Sequence, residues 1–148
     1  MLTETLIQIF ERDLNRLITE IDLYKNEQNI WRIEEDILNS AGNLTLHIIG
    51  NLNTYIGKEI GKTNYIRNRE LEFSQKGISK HELIKSLNET IDIVRKSLIN
   101  LQQNELENEY PTLVFTEKTS TGFLLVHLTT HLTYHLGQVN YHRRLIDK

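Results

Sequence analysis

The sequence predicts an all-α protein, a four-helix bundle, and three observations carry that prediction. A single proline, Pro111, and seven glycines among 148 residues leave little of the punctuation that strands and tight turns require. Apolar residues recur at three-and-four spacing over long segments, the period of one helical face. Ser79 and Glu82 also form an S-x-x-E capping box, a helix-start signature in which each side chain satisfies a free amide at the other's end.

Taken in order, the first helix runs roughly from Leu2 to Tyr24, with Leu6, Ile9, Phe10, Leu14, Leu17 and Ile21 on one face. A polar connection containing Trp31 follows, "KNEQNIWRIEEDILNSAGN". The second helix begins near Asn43 and continues towards Gly57 or Gly61. The link "KTNYIRNRELEFSQKG" is mixed in sign at Arg67, Arg69, Glu70 and Glu72. It reads as a solvated connection from which an arginine could overhang a site. The third helix starts behind Ser79 and presents Leu83, Leu87, Ile91, Val94 and Leu98. The stretch "ENEYPTLVFTEKTS" is where extended chain is expected, before Ser120 or Thr119 caps a fourth helix ending near Ile146. Four such helices with medium connections read as one bundle domain over residues 1–148.

Composition narrows the function. The net charge is -3 and no dense lysine/arginine block occurs, so a phosphate-binding footprint, and with it nucleic-acid binding, lacks support. Cysteine is absent, which removes disulfides, thiolate metal sites and cysteine nucleophiles. The start, "MLTETLIQIFERDL", carries acids early and lacks the apolar run of a signal peptide. No stretch approaches the ~18 apolar residues of a membrane span. A soluble, cytoplasmic protein without membrane or nucleic-acid partners is expected.

Four of the six histidines fall in "HLTTHLTYHLGQVNYHRR", residues 127–144. Advancing about 100° per residue from Leu124 puts His127 near 300°, His131 near 340°, His135 near 20°, Gln138 near 320° and His142 near 0°. All lie on the inward half, beside the Leu128, Leu132 and Val139 stripe. Thr129, Thr133, Gly137, Asn140 and Arg144 take the opposite side. Inward imidazoles need partners. Two imidazoles one turn apart can share a metal ion, whereas His127 and His135 stand about 12 Å apart along the axis. His131 therefore belongs to the binding pair, and spacing does not choose between His127 and His135 as its companion. A third ligand should come from another helix. His47, midway along the second helix, is the candidate, with Asn51 one turn on as a ligand or substrate contact. His81 reads as a surface residue. The alternative is a set of core histidines bonded to carbonyls, Gln138 or Tyr134.

Other chemistries lack their residues. Leu132 stands where an H-E-x-x-H protease has its glutamate. A Glu-x-x-His pair from two helices, the di-iron ligand set, is missing, as are phosphate loops and nucleophile elbows.

The lone histidine in "LHIIGNLNTYIG", the "RNRELEFS" segment and the H-x3-H-x3-H-x-G-Q pattern within "VHLTTHLTYHLGQVNYHRRL" together resemble the DinB/YfiT superfamily, in a bacterial branch without an assigned function. The resemblance implies a four-helix bundle, often dimeric, that holds one divalent ion, commonly zinc or nickel. It implies His47, His131 and His135 as the metal ligands and makes His127 a neighbour. Activities in the superfamily include metal-dependent hydrolysis and S-transfer dependent on a low-molecular-weight thiol. Either would act on a small-molecule substrate, and with no cysteine in the chain any sulfur nucleophile is imported. Asn51, Gln138 and Tyr134 are candidate supporting or substrate contacts, and no general base is identifiable. The competing expectation is a non-catalytic helical dimerisation or ligand-binding module.

Overall fold

Three of the long helices open on a serine whose side chain accepts from a free amide. The computed structural model describes residues 2–148. Helix α1 spans Leu2–Asp22, α2 Ala41–Leu52, α3 Arg69–Ser74, α4 Lys80–Leu98 and α5 Thr121–Ile146. Ser40 Oγ accepts from Asn43 N at 3.1 Å to open α2, and Ser120 Oγ accepts from Phe123 N at 3.1 Å to open α5. The Ser79–Glu82 box forms at the head of α4 with both reciprocal bonds. Such caps each stabilise a helix by about 1 kcal/mol.

The fold is all-α, as the periodicity predicts, with no named strand among the described residues. α1 packs against α4 and α5, and α2 packs against the same two helices. The four long helices thus form a square, with α1 and α2 at opposite corners. Leu6, Phe10, Leu14, Leu17 and Ile21 of α1 meet Leu83, Leu87, Val94 and Leu98 of α4, and Leu124, Leu128 and Leu132 of α5, in one core. α2 is buried on nearly every side and continues as a wider π-type turn over Asn53–Lys58. There Asn53 Nδ2 donates to Ile49 O at 2.8 Å and to Thr90 Oγ1 at 3.0 Å. No helix among the described residues is long and apolar enough to cross a membrane.

Several expectations need correction. The link before α4 is not simply a solvated connection, because it holds α3, capped by Asn68 Oδ1 on Leu71 N at 3.2 Å. Asn43 Nδ2 anchors it by donating to Glu72 O and Gln75 O, both at 2.9 Å. Six residues are too few to show a helical period, and their charges suggest solvent. The Trp31 connection is likewise not merely polar. It forms a 3-10 turn over Glu27–Trp31, and the indole N–H donates to Ile78 O at 3.1 Å while its ring covers Gly42 so closely that a Cβ there would overlap it.

The side of α5 opposite the histidines is partly open to solvent, with Thr133, Gly137 and Arg144 exposed. It packs on α1 through polar pairs: Thr133 Oγ1 lies 2.7 Å from Asp13 Oδ2, Asn140 Nδ2 donates to Glu20 Oε1 at 2.7 Å, and Arg143 Nε donates to Glu20 Oε2 at 2.7 Å. Hydrophobic periodicity cannot register a contact made by threonine, asparagine and acids. Extended chain before α5 is limited to one bridge, Glu109 with Ser120, where Tyr110 N donates to Thr119 O at 2.8 Å.

Candidate metal centre

Three imidazoles converge between α2 and α5. His47 comes from the middle of α2, His131 and His135 from adjacent turns of α5. His131 Nε2 lies 3.2 Å from His47 Nε2 and 3.1 Å from His135 Nε2. One ligand atom from each of the three falls within 4.8 Å of the others. Nitrogens held at ~2.0–2.1 Å around a tetrahedral ion stand about 3.3 Å apart, so the spacing fits a divalent cation.

Hydrogen bonding on the far side of each ring sets which nitrogen faces the centre. A carboxylate oxygen only accepts, so His47 Nδ1–H donates to Glu72 Oε1 at 3.0 Å. His135 Nδ1–H donates in the same way to Gln138 Oε1 at 2.7 Å. Both rings therefore turn a bare Nε2 lone pair towards His131 Nε2. A proton on His131 Nε2 would leave its buried Nδ1, which has no hydrogen-bond partner, as an unmatched acceptor. A proton on Nδ1 instead would leave three lone pairs facing one another. Neither neutral tautomer satisfies the cluster, whereas a cation takes all three Nε2 lone pairs, with the His131 Nδ1–H left unmatched.

Electrostatics keep these rings uncharged and able to ligate. Burial pulls His131 down to about 4, helped by His135 and His47. His47 lies below the usual imidazole range because burial outweighs the support of Glu72. Burial lowers His135 against the Gln138 bond. A fully buried, unpaired imidazolium would be costly, and three together would also repel.

Glu72 is the functional residue that the sequence reading missed. It is 5% exposed and is held by Arg67, whose Nε donates to Oε2 at 2.8 Å and Nη2 to Oε1 at 2.9 Å. The carboxylate lies over Gly50 with no room for a Cβ. Phe73 covers the His47 ring at 5.0 Å between centroids. The available signal was the pairing of a mixed-charge segment with a glycine one turn from His47, which charge alone does not separate from a solvated loop.

The other candidates divide. Gln138 joins the cluster through His135. Tyr134 is 64% exposed and lies edge-on to His135 at 5.4 Å. Asn51 is buried, and its Oδ1 is without a hydrogen-bond partner. His127 is not among the converging ligands; its ring lies 4.7 Å from Phe115 and 6.2 Å from His131. His81 is exposed. His142, although inward, is a core histidine: Tyr24 O–H donates to Nδ1 at 2.6 Å, and Nε2–H donates to Arg32 O at 2.7 Å.

Comparison with known proteins is consistent with this architecture and names no activity. A family described as "Protein of unknown function (DUF1572)" matches residues 3–148. No curated protein matches the chain. A crystal structure described as that of the conserved protein of a locus from Enterococcus faecalis is similar in fold, with a TM-score of 0.77 at 14% identity over 97% of this chain and 96% of that one.

Proposed function

The chain belongs to the DUF1572 family, and from that premise we propose that it is a divalent-metal-binding protein, of DinB/YfiT-like kind, whose ligands are His47, His131 and His135. The observation that carries this reading is the convergence of three Nε2 atoms, two of them stripped of protons by Glu72 and Gln138. Nitrogen-only ligation suits zinc or nickel. Three protein ligands leave a coordination position for substrate, the arrangement of a catalytic rather than a structural site.

The proposed activity is that of a cytoplasmic metal-dependent hydrolase or of a transferase using a low-molecular-weight thiol. When bound, the ion supplies Lewis acidity, which serves either reaction. The chain's own residues hold and orient the ligands. Glu72, fixed by Arg67, keeps the His47 proton on Nδ1, and Gln138 does the same for His135.

Elemental analysis of untagged protein tests the metal assignment. About one zinc or nickel per chain is expected, and none after His131→Ala. A folded, metal-free protein that takes up neither ion on reconstitution overturns it. Product formation from esters or from thiol plus electrophile then separates the two chemistries.

A further inference from the structure

His135 faces two ways. Its Nε2 lies in the imidazole cluster, while His135 and its partner Gln138 also line a cleft of about 870 Å³ between the second half of α5 and the loop 36–39. From this continuity we propose that the cleft is the substrate pocket of the metal site, and that it takes a small molecule with one metal-binding head and an uncharged, apolar body. The inference rests on the three-histidine reading and adds the chemical class of the substrate to it.

The walls are apolar on both sides. Ile37, Leu38 and Leu44 face Tyr134, Tyr141 and Leu145 across the opening. Leu38 is 79% exposed and Tyr141 71%, an arrangement that puts apolar surface in water next to a polar centre. Large exposed apolar surface of this kind marks binding sites, and the volume falls within the ~300–1,000 Å³ of small-molecule pockets.

The loop is closed by the Glu34–Ile37 bridge, with Glu35 at φ 44°. His142, at the back, is bonded at both nitrogens, to Tyr24 and to the Arg32 carbonyl. Among the described residues the lining holds no lysine or arginine, and its acid is Asp36. Arg67, near the histidines, is already committed to Glu72. A carboxylate or phosphate on the distal end of a ligand would find no counter-ion in the lining, so the charge-bearing group belongs at the ion and the remainder is neutral.

Alkyl hydroxamates bound to the zinc-loaded protein, measured by calorimetry, test the assignment. Affinity should rise about fourfold for each methylene buried from acetohydroxamic to octanohydroxamic acid. Suberic acid monohydroxamate, of similar length with a terminal carboxylate, should lose most of that gain. Tyr141→Ala and Leu38→Ser alter exposed side chains; they should weaken octanohydroxamate severalfold and leave acetohydroxamate unchanged. If acetohydroxamate binds but lengthening the chain adds nothing, the cleft assignment is wrong and the metal site stands. If zinc is not taken up at all, both fall. If light scattering shows that Tyr141→Ala turns a dimer into a monomer while octanohydroxamate affinity is unmoved, the groove belongs to a second copy and the inference is overturned.

Discussion

Replacing Glu72 with Gln preserves the shape of the contact with His47 and removes its charge. The ring is then held less firmly with its bare nitrogen towards the cluster, and metal affinity should fall about 10–100-fold, the usual effect of losing such a supporting partner. Titration with a competing chelator would measure it, and circular dichroism should show unchanged helix content. His142→Ala makes the contrasting case. It strands the Tyr24 hydroxyl and the Arg32 carbonyl, costing at least about 1–3 kcal/mol per stranded buried group, with metal content per folded chain unaffected. Denaturant unfolding with parallel metal analysis separates the two. The helical turn angle was enough to place His131 and His135 on the inward half of α5. It could not distinguish the ligating imidazoles from His142, because all four rings project inward and only their partners differ. His142 is bonded to Tyr24, just past α1, and to Arg32 in the loop before α2, whereas His131 meets His47 of α2, all at sequence separations that no local spacing reports.

At the level of elements, the four long helices were readable from their apolar residues, reinforced at α4 by a cap, Ser79 followed by Leu83, Leu87 and Val94. α3 was not readable, being short, charged and defined by what it touches. Its seat depends on Gly50, where a Cβ would overlap the Glu72 carboxylate. Gly50→Ala should therefore displace α3 without breaking α2, since alanine is the better helix former by about 1 kcal/mol. The expected result is near-native thermal stability with metal affinity lowered as far as in Glu72→Gln or further; unchanged affinity would show that the carboxylate relocates at no cost. The π-type turn after α2 has a similar status. Its residues continue the helical pattern, and the change of pitch shows in backbone bonds five residues apart, Glu59 N to Thr54 O at 3.2 Å and Gly61 N to Ile56 O at 2.9 Å.

Across the whole molecule, burial makes acid destabilising. His131, at about 4, and His47, His135 and His142, all below the ordinary imidazole value of 6.5, bind protons less readily folded than unfolded. The unfolded chain therefore gains protons first as pH falls below about 6.5. Stability of the metal-free protein should be complete above that pH and decline towards pH 4; urea unfolding at pH 7.5 and pH 5 measures the loss. Zinc should raise the neutral-pH melting temperature in a concentration-dependent way, because an ion that binds only the folded state stabilises it by mass action. His131→Ala should abolish the response.

The clamp that orients His47 is carried on a separate six-residue segment, tied down by Asn43 and Arg67 rather than built into the square of long helices. Fraying of that segment costs far less than melting the bundle. The grip on the ion would then slacken on warming while the helices remain intact, so that zinc raises the melting temperature by less than its room-temperature affinity implies.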